Sequence, residues 1–334
     1  MAMDSNSYKD LKVSRGFNYH YYVATAREKS KQNLVFIHGF GVASQDWRHQ
    51  VRFFQELGYG IIAPDSLGYG GSSIIRDPQQ LKLSLIAQDI VEILQHENIQ
   101  SAIFVGQGGG SPIISRVAQL YPEKVTAAAF LAIPYAAPTP PPFDLKQILK
   151  IQKDTFGYEL FGYWEFLAID PDAPVIAISN FEAFFNLIYP DDPKSWISLF
   201  GPSGAMKGYL LAGPDAVLPS PSWFSAEEKR LQYTTLQAFD LSGPFTYYKA
   251  YLENVQSEDG QQSVPLDRYR LSKPVFYGYG TEDYISLPAI GKQAVQSFCD
   301  GEKLTIREFK ANHWMHLQVP DDVNRTLLDW LQGL

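Results

Sequence analysis

The chain has 334 residues, enough for one large α/β domain or a core with an inserted subdomain. With 45% hydrophobic, 14% aromatic and 19% charged residues it is neither disordered nor fibrous, and it must bury a sizeable core. Lys and Arg number 28 against 36 Asp and Glu, a net charge of -8 without a basic cluster, so a nucleic-acid partner has no electrostatic footprint.

Residues Met1 to Asp10 are polar and lack the apolar stretch of a secretion signal, and no run approaches the ~20 apolar residues that span a bilayer. A soluble, cytoplasmic protein is expected. The one cysteine, Cys299, excludes an intrachain disulfide and a Cys-based zinc cluster, and reads as a small buried hydrophobe. Asn324-Arg325-Thr326 matches a glycosylation sequon but falls in a C-terminal helical pattern, and is discounted.

In chain order, short β-rich runs alternate with helical patterns, the signature of a mostly parallel sheet with crossover helices. Strands are expected at Leu34–Ile37, Gly60–Ala63, Ala102–Val105, Ala127–Leu131, Val275–Tyr277 and Leu304–Phe309. Apolar residues recur at helical spacing at Leu85, Ile86, Ile90, Ile93 and Leu94, again at Ile113, Ile114, Val117 and Leu120, and finally at Val323, Leu327, Leu328 and Leu331. The rhythm breaks at Pro134, Pro138, Pro140, Pro141 and Pro142, which suit neither a helix interior nor a central strand. The following segment is dense in aromatics, among them Phe156, Tyr158, Tyr163, Trp164 and Phe184, which are expected mainly to pack on one another. The division that follows is a core of residues 1–136 and 266–334 around a helical cap, 137–265.

Three local patterns carry chemistry. The strand ending at Ile37 runs into His38-Gly39-Phe40-Gly41, a turn whose backbone N–H groups could face a developing anion. The strand ending at Val105 runs into Gly106-Gln107-Gly108-Gly109-Gly110 and a helix, with small residues flanking position 108 as a sharp strand-to-helix elbow requires. Asp283 and His313 follow the last two strands, and a carboxylate that fixes an imidazole tautomer makes the other ring nitrogen a general base. The glycine run lacks the third glycine and the downstream acid of a dinucleotide fingerprint. Ser111, in the first helical turn, is expected to cap it rather than to attack. No histidine spacing suggests a metal, so no cofactor is expected.

In combination these features resemble the epoxide hydrolase branch of the α/β-hydrolase superfamily. The carriers are His38-Gly39-Phe40-Gly41 with Asp46-Trp47-Arg48, Pro64-Asp65 with Gly68-Tyr69-Gly70, the elbow with Tyr121-Pro122-Glu123, Asp283, and His313-Trp314 with Pro320. The resemblance implies an α/β-hydrolase fold with an inserted helical cap, a small apolar organic substrate, and two cap tyrosines that hold an epoxide oxygen. By local pattern these are Tyr158 and Tyr248, with Tyr163 and Tyr247 as near neighbours. Trp314, Gln107 and Gly109 are expected beside the site.

The departures from the family pattern set the functional expectation. The family elbow reads Gly-His-Asp-Trp-Gly, with the Asp attacking the epoxide; here positions 107 to 109 are Gln107, Gly108 and Gly109, so no covalent intermediate can form at the elbow. Gly41 stands where the family usually has Pro, and Gln318 where a Glu commonly follows the histidine. The favoured reading is an enzyme that retains acid–base chemistry for epoxide opening, cyclisation, isomerisation or lysis on a bulky apolar molecule, as in natural-product tailoring. The alternatives are a pseudohydrolase that binds an apolar ligand, and an ordinary epoxide hydrolase with an engineered Gly108, against which the joint change of Gln107 and Gly109 argues.

Overall fold

The computed structural model describes residues 3–28, 31–41 and 43–334. Among them eight strands form one sheet: β1 Tyr8–Lys12, β2 Asn18–Ala24, β3 Asn33–Ile37, β4 Gly60–Pro64, β5 Ala102–Gln107, β6 Val125–Leu131, β7 Val275–Gly280 and β8 Leu304–Phe309. Their order across the sheet is β1-β2-β4-β3-β5-β6-β7-β8. β2 pairs antiparallel with β1 and β4, and every other pairing is parallel. The central strands are buried almost throughout, which is why they read as continuous apolar runs rather than alternating ones.

All six expected strands are present, most of them a residue or two longer. The β1–β2 hairpin was not foreseen. Its buried residues are the tyrosines Tyr19, Tyr21 and Tyr22 among Asn18 and His20, so the aliphatic signal of a strand is missing. Tyr19 and Tyr21 join the core on one sheet face and Tyr22 that on the other, the alternation of an extended strand.

Helices Leu83–His96, Gly110–Leu120 and Pro288–Phe298 cover one face of the sheet, and Arg48–Glu56 and Pro320–Gln332 the other. In the last of these Asn324 is buried and accepts a hydrogen bond from Gln50 at 3.1 Å, so the sequon is part of the core packing. Between β6 and β7, helices run from Leu145–Phe156 to Val255–Ser263 without a strand among the described residues. They carry their own aromatic core, in which Phe184, Phe185 and Tyr189 are fully buried.

The end of this segment is fastened to the sheet-flanking helices. Arg116 pairs with Asp259 at 2.8 Å, both buried, and Gln256 holds the Leu83 N–H and the Leu81 carbonyl. Removing one member of such a buried ion pair strands the other, at a cost of about 3–5 kcal/mol. The roof is thereby fixed over the carboxyl ends of the strands.

Candidate active site

From β3 the chain crosses to β4 on one side, while β5 pairs on the other, so loops diverge at the carboxyl ends of β3 and β5. In open α/β sheets that divergence opens a crevice. Here it becomes a cavity of about 310 Å³ roofed by aromatic side chains of the helical segment.

The floor is the elbow after β5. Gly108 adopts φ +51°, a left-handed conformation that lets the chain turn directly from strand to helix. Gly110 must also be glycine, because a Cβ there would lie 2.1 Å from the Ile37 carbonyl oxygen. Ser111 is buried and its Oγ donates to the Gly106 carbonyl at 3.4 Å, so it caps no helix N–H, contrary to the sequence expectation. Gly39, Phe40 and Gly109 line the cavity. Among the described residues neither the Phe40 nor the Gly109 backbone N–H donates a hydrogen bond, and the Phe40 nitrogen lies 3.7 Å from the point a Cβ on Gly109 would occupy.

Gly41 has φ +112°, far from the φ near -65° that a proline ring imposes, so this turn cannot take the family's usual residue. His38 is buried; its Nδ1 donates to the Gly39 carbonyl at 2.8 Å and its Nε2 accepts from the Ser66 N–H at 2.8 Å. Burial lowers its pKa, and the neutral ring ties the β3 turn to the loop after β4.

The loops after β7 and β8 bring Asp283 and His313 together. Asp283 Oδ2 accepts from His313 Nδ1 at 2.7 Å, while Oδ1 accepts the Ile285 and Ser286 N–H groups at 3.0 and 2.8 Å. The histidine loop is held from three sides. Gln107 Nε2 donates to the His313 carbonyl at 3.2 Å, Asn312 Oδ1 accepts the Trp314 N–H at 2.8 Å, and Gln318 Oε1 accepts the Asn312 N–H at 2.8 Å. His313 Nε2 is then directed toward Gly108, 3.2 Å from the point a Cβ there would occupy. Trp314 spends its indole N–H on the Ile188 carbonyl at 2.8 Å and packs edge-on against His313 at 5.2 Å.

The roof supplies tyrosines, though not the pair expected from local pattern. The Tyr158 hydroxyl donates to the Tyr284 carbonyl at 2.8 Å, and Tyr158 is not among the described residues that line the cavity. Tyr163 lines it instead, five residues further on, with its ring 5.6 Å from that of Tyr248 in an edge-on contact. Tyr247 also reaches the wall but donates its hydroxyl to the Leu67 carbonyl at 3.0 Å. Burial pushes the Tyr163 hydroxyl up to about 12 and raises Tyr248 well above its ordinary value. Both remain proton donors at neutral pH.

Trp196, whose ring lies 5.7 Å from His313, and Trp164, expected from the sequence to pack among the cap aromatics, complete an aromatic wall. A local pattern could not separate lining rings from packing rings, since both carry the same apolar signal. Among the described residues no cluster of His, Cys, Asp and Glu is arranged to hold a metal ion, and no helix is long and apolar enough to cross a membrane. Cys299 is buried, and burial raises its thiol to about 12.

This arrangement of elbow, acid and histidine at the strand ends, under a helical roof, is that of an α/β hydrolase. The chain belongs to the alpha/beta hydrolase fold family, whose profile matches residues 32–320. It is similar to epoxide hydrolases over nearly its whole length. Epoxide hydrolase A of Mycobacterium tuberculosis is 25% identical over 328 residues, 93% of this chain and 94% of that protein. Bifunctional epoxide hydrolase 2 of Mus musculus is 25% identical over 302 residues, 90% of this chain and 51% of that protein, so the chain spans about half of it. Among solved structures, an epoxide hydrolase from an endophytic Streptomyces matches with a TM-score of 0.80 at 23% identity, covering 98% of this chain and 95% of that one, a likeness of fold.

Proposed function

We propose that this epoxide hydrolase-like protein opens epoxides on bulky apolar molecules without forming a covalent enzyme intermediate. The observation that carries the reading is the juxtaposition of Gly108, which has no side chain to attack with, and a complete Asp283–His313 pair directed at it.

In this reading a water molecule lies over Gly108, within reach of His313 Nε2. The imidazole takes a proton from the water, and the water oxygen forms a bond to the epoxide carbon. The ring C–O bond breaks with its electron pair on oxygen, which takes a proton from Tyr163 or Tyr248. An alkoxide is more basic than the Tyr163 phenolate even at a pKa of about 12, so transfer from Tyr163 runs downhill. Solvent then returns a proton to the tyrosine and removes one from His313. Acid–base catalysis alone contributes about 10²–10⁴-fold, so positioning by the aromatic walls has to supply the rest. That requirement suits a specialised substrate primed to react, as in a natural-product tailoring step, better than broad detoxification.

The test is a single turnover in H₂¹⁸O, with enzyme in excess over a panel of aryl and alkyl epoxides. Direct attack by water puts the label into the diol on the first turnover. An unlabelled first-turnover diol means that an enzyme carboxylate attacked, and the reading fails. No diol from any epoxide, together with saturable binding of an apolar ligand, fits a binding protein instead.

A further inference from the structure

The groups around the bare Cα of Gly108 are two backbone N–H donors and an imidazole nitrogen that becomes a third donor once it has taken a proton. Asp283 directs both carboxylate oxygens elsewhere, Oδ2 to His313 Nδ1 and Oδ1 to two backbone amides. What remains on the floor is His313 Nε2 and the N–H groups of Phe40 and Gly109, which have no partner among the described residues. A Cβ built on residue 108 would stand 3.2 Å from Nε2 and 3.8 Å from the Gly39 Cα, so the space that an attacking side chain would fill is open, and an oxygen seated against the bare Cα there faces Nε2. A ligand rich in acceptors is called for, with a planar head of two oxygens so that one meets Nε2 and the other the amides. The walls above are aromatic, with Phe40, Trp196 and Phe200 among them, so the rest of that ligand is apolar.

We infer that the space over Gly108 is a binding site for the carboxylate of an apolar organic acid, which there takes the place of an attacking group that the chain itself lacks. The acid enters with its proton, which passes to His313 Nε2, so the seated species is a carboxylate beside an imidazolium. Resting on the epoxide-opening reading, the seated carboxylate oxygen forms a bond to the epoxide carbon. The ring C–O bond breaks, its electron pair goes to the ring oxygen, and Tyr163 or Tyr248 protonates that oxygen. The imidazolium proton balances the one given by the tyrosine, through solvent. The product is a 2-hydroxyalkyl ester, or a hydroxylactone where one substrate carries both groups.

The probes are [¹³C]acetate, phenylacetate and its neutral counterpart 2-phenylethanol, with binding read by NMR and calorimetry and the ester sought by mass spectrometry with styrene oxide present. Phenylacetate is expected to bind saturably and at least tenfold more tightly than 2-phenylethanol. That preference should vanish in Gly108→Ala, whose added methyl fills the space against the bare Cα, and also in His313→Ala, which tests the same contact should the first variant not fold. Acetate is expected to yield the hydroxy-acetate ester. Equal affinity for the acid and the alcohol overturns the site, even if labelled diol still forms and the water reading stands. Carboxylate binding accompanied by diol but no ester overturns the attacking role. Selective carboxylate binding with no opening of any epoxide keeps the site and sinks the epoxide-opening reading.

Discussion

His313 Nε2 stands 3.2 Å from the place of a Cβ on Gly108, close enough that any side chain built at residue 108 would meet the imidazole before anything else. Gly108→Asp is therefore expected to seat a carboxylate against His313 and to attack epoxides covalently. The cost is modest: aspartate tolerates the left-handed conformation better than most residues, and the strain should be about 1–3 kcal/mol. Intact-mass analysis of the variant after brief exposure to styrene oxide should show an adduct of one substrate mass. Its absence in a folded variant would mean that the epoxide does not reach this position.

The bond between Asp283 and His313 has a definite direction. The Ile285 and Ser286 amides demand an acceptor at Oδ1, so in Asp283→Asn the amide oxygen stays there and the NH₂ group turns toward Nδ1. That forces the proton onto Nε2, which can then no longer accept one. The expected loss is about 10²–10⁴-fold in kcat with an unchanged fold. His313→Ala should lose as much, and the double variant no more than either single one, since the two residues act as a unit. Additive losses, measured by steady-state rates, would sever the pair functionally.

Tyrosine substitutions separate the local-pattern assignment from the geometric one. Tyr163→Phe and Tyr248→Phe each remove a hydroxyl at the cavity, and each is expected to lower kcat on epoxides by about 10²-fold or more, as loss of a proton donor does. Tyr158→Phe breaks only the bond to the Tyr284 carbonyl, worth about 1 kcal/mol of stability, and should leave kcat within about twofold. A large kcat loss in Tyr158→Phe with Tyr163→Phe unaffected would reverse the assignment.

What the sequence conveyed and what it hid have physical reasons. The strand–turn–helix at Gly106 to Gly110, and Asp283 and His313 after the last strands, were legible because close backbone approach and buried parallel strands leave local marks. The cap tyrosines were not. Tyr158 and Tyr163 lie on either side of a glycine-bearing turn before helix Tyr163–Ile169, and which of them faces the cavity depends on how that helix docks. The contact of Gln107 with the His313 carbonyl was equally silent, because it joins loops distant in sequence, and the Ile285 and Ser286 amides that hold Asp283 two and three residues away are backbone groups that every residue carries. The tyrosine-rich β2 escaped because its inward side chains are amphipathic.

Beneath the roof, Asp46 links stability to pH. Its Oδ1 accepts from Gln232 at 2.7 Å, the same amide donates to Tyr189 at 2.8 Å, and Oδ2 has no partner among the described residues. Burial raises the carboxyl from 3.8 to about 7, opposed by the Gln232 hydrogen bond and the Arg48 charge. Below pH 4 both the folded and unfolded chains carry this proton, and between pH 4 and 7 only the folded chain does, so stability falls as pH rises through that window. The contribution is fully present below the unfolded pKa and gone above about pH 7. Asp46→Asn keeps the acceptor for Gln232 and cannot ionise. Urea midpoints of the two proteins should coincide near pH 4 and diverge as pH rises, the variant being more stable at pH 8 by up to about 4 kcal/mol, less whatever attraction to Arg48 is lost. Parallel profiles from pH 4 to 8 would mean that Asp46 is ionised in the fold throughout and that Arg48 outweighs burial.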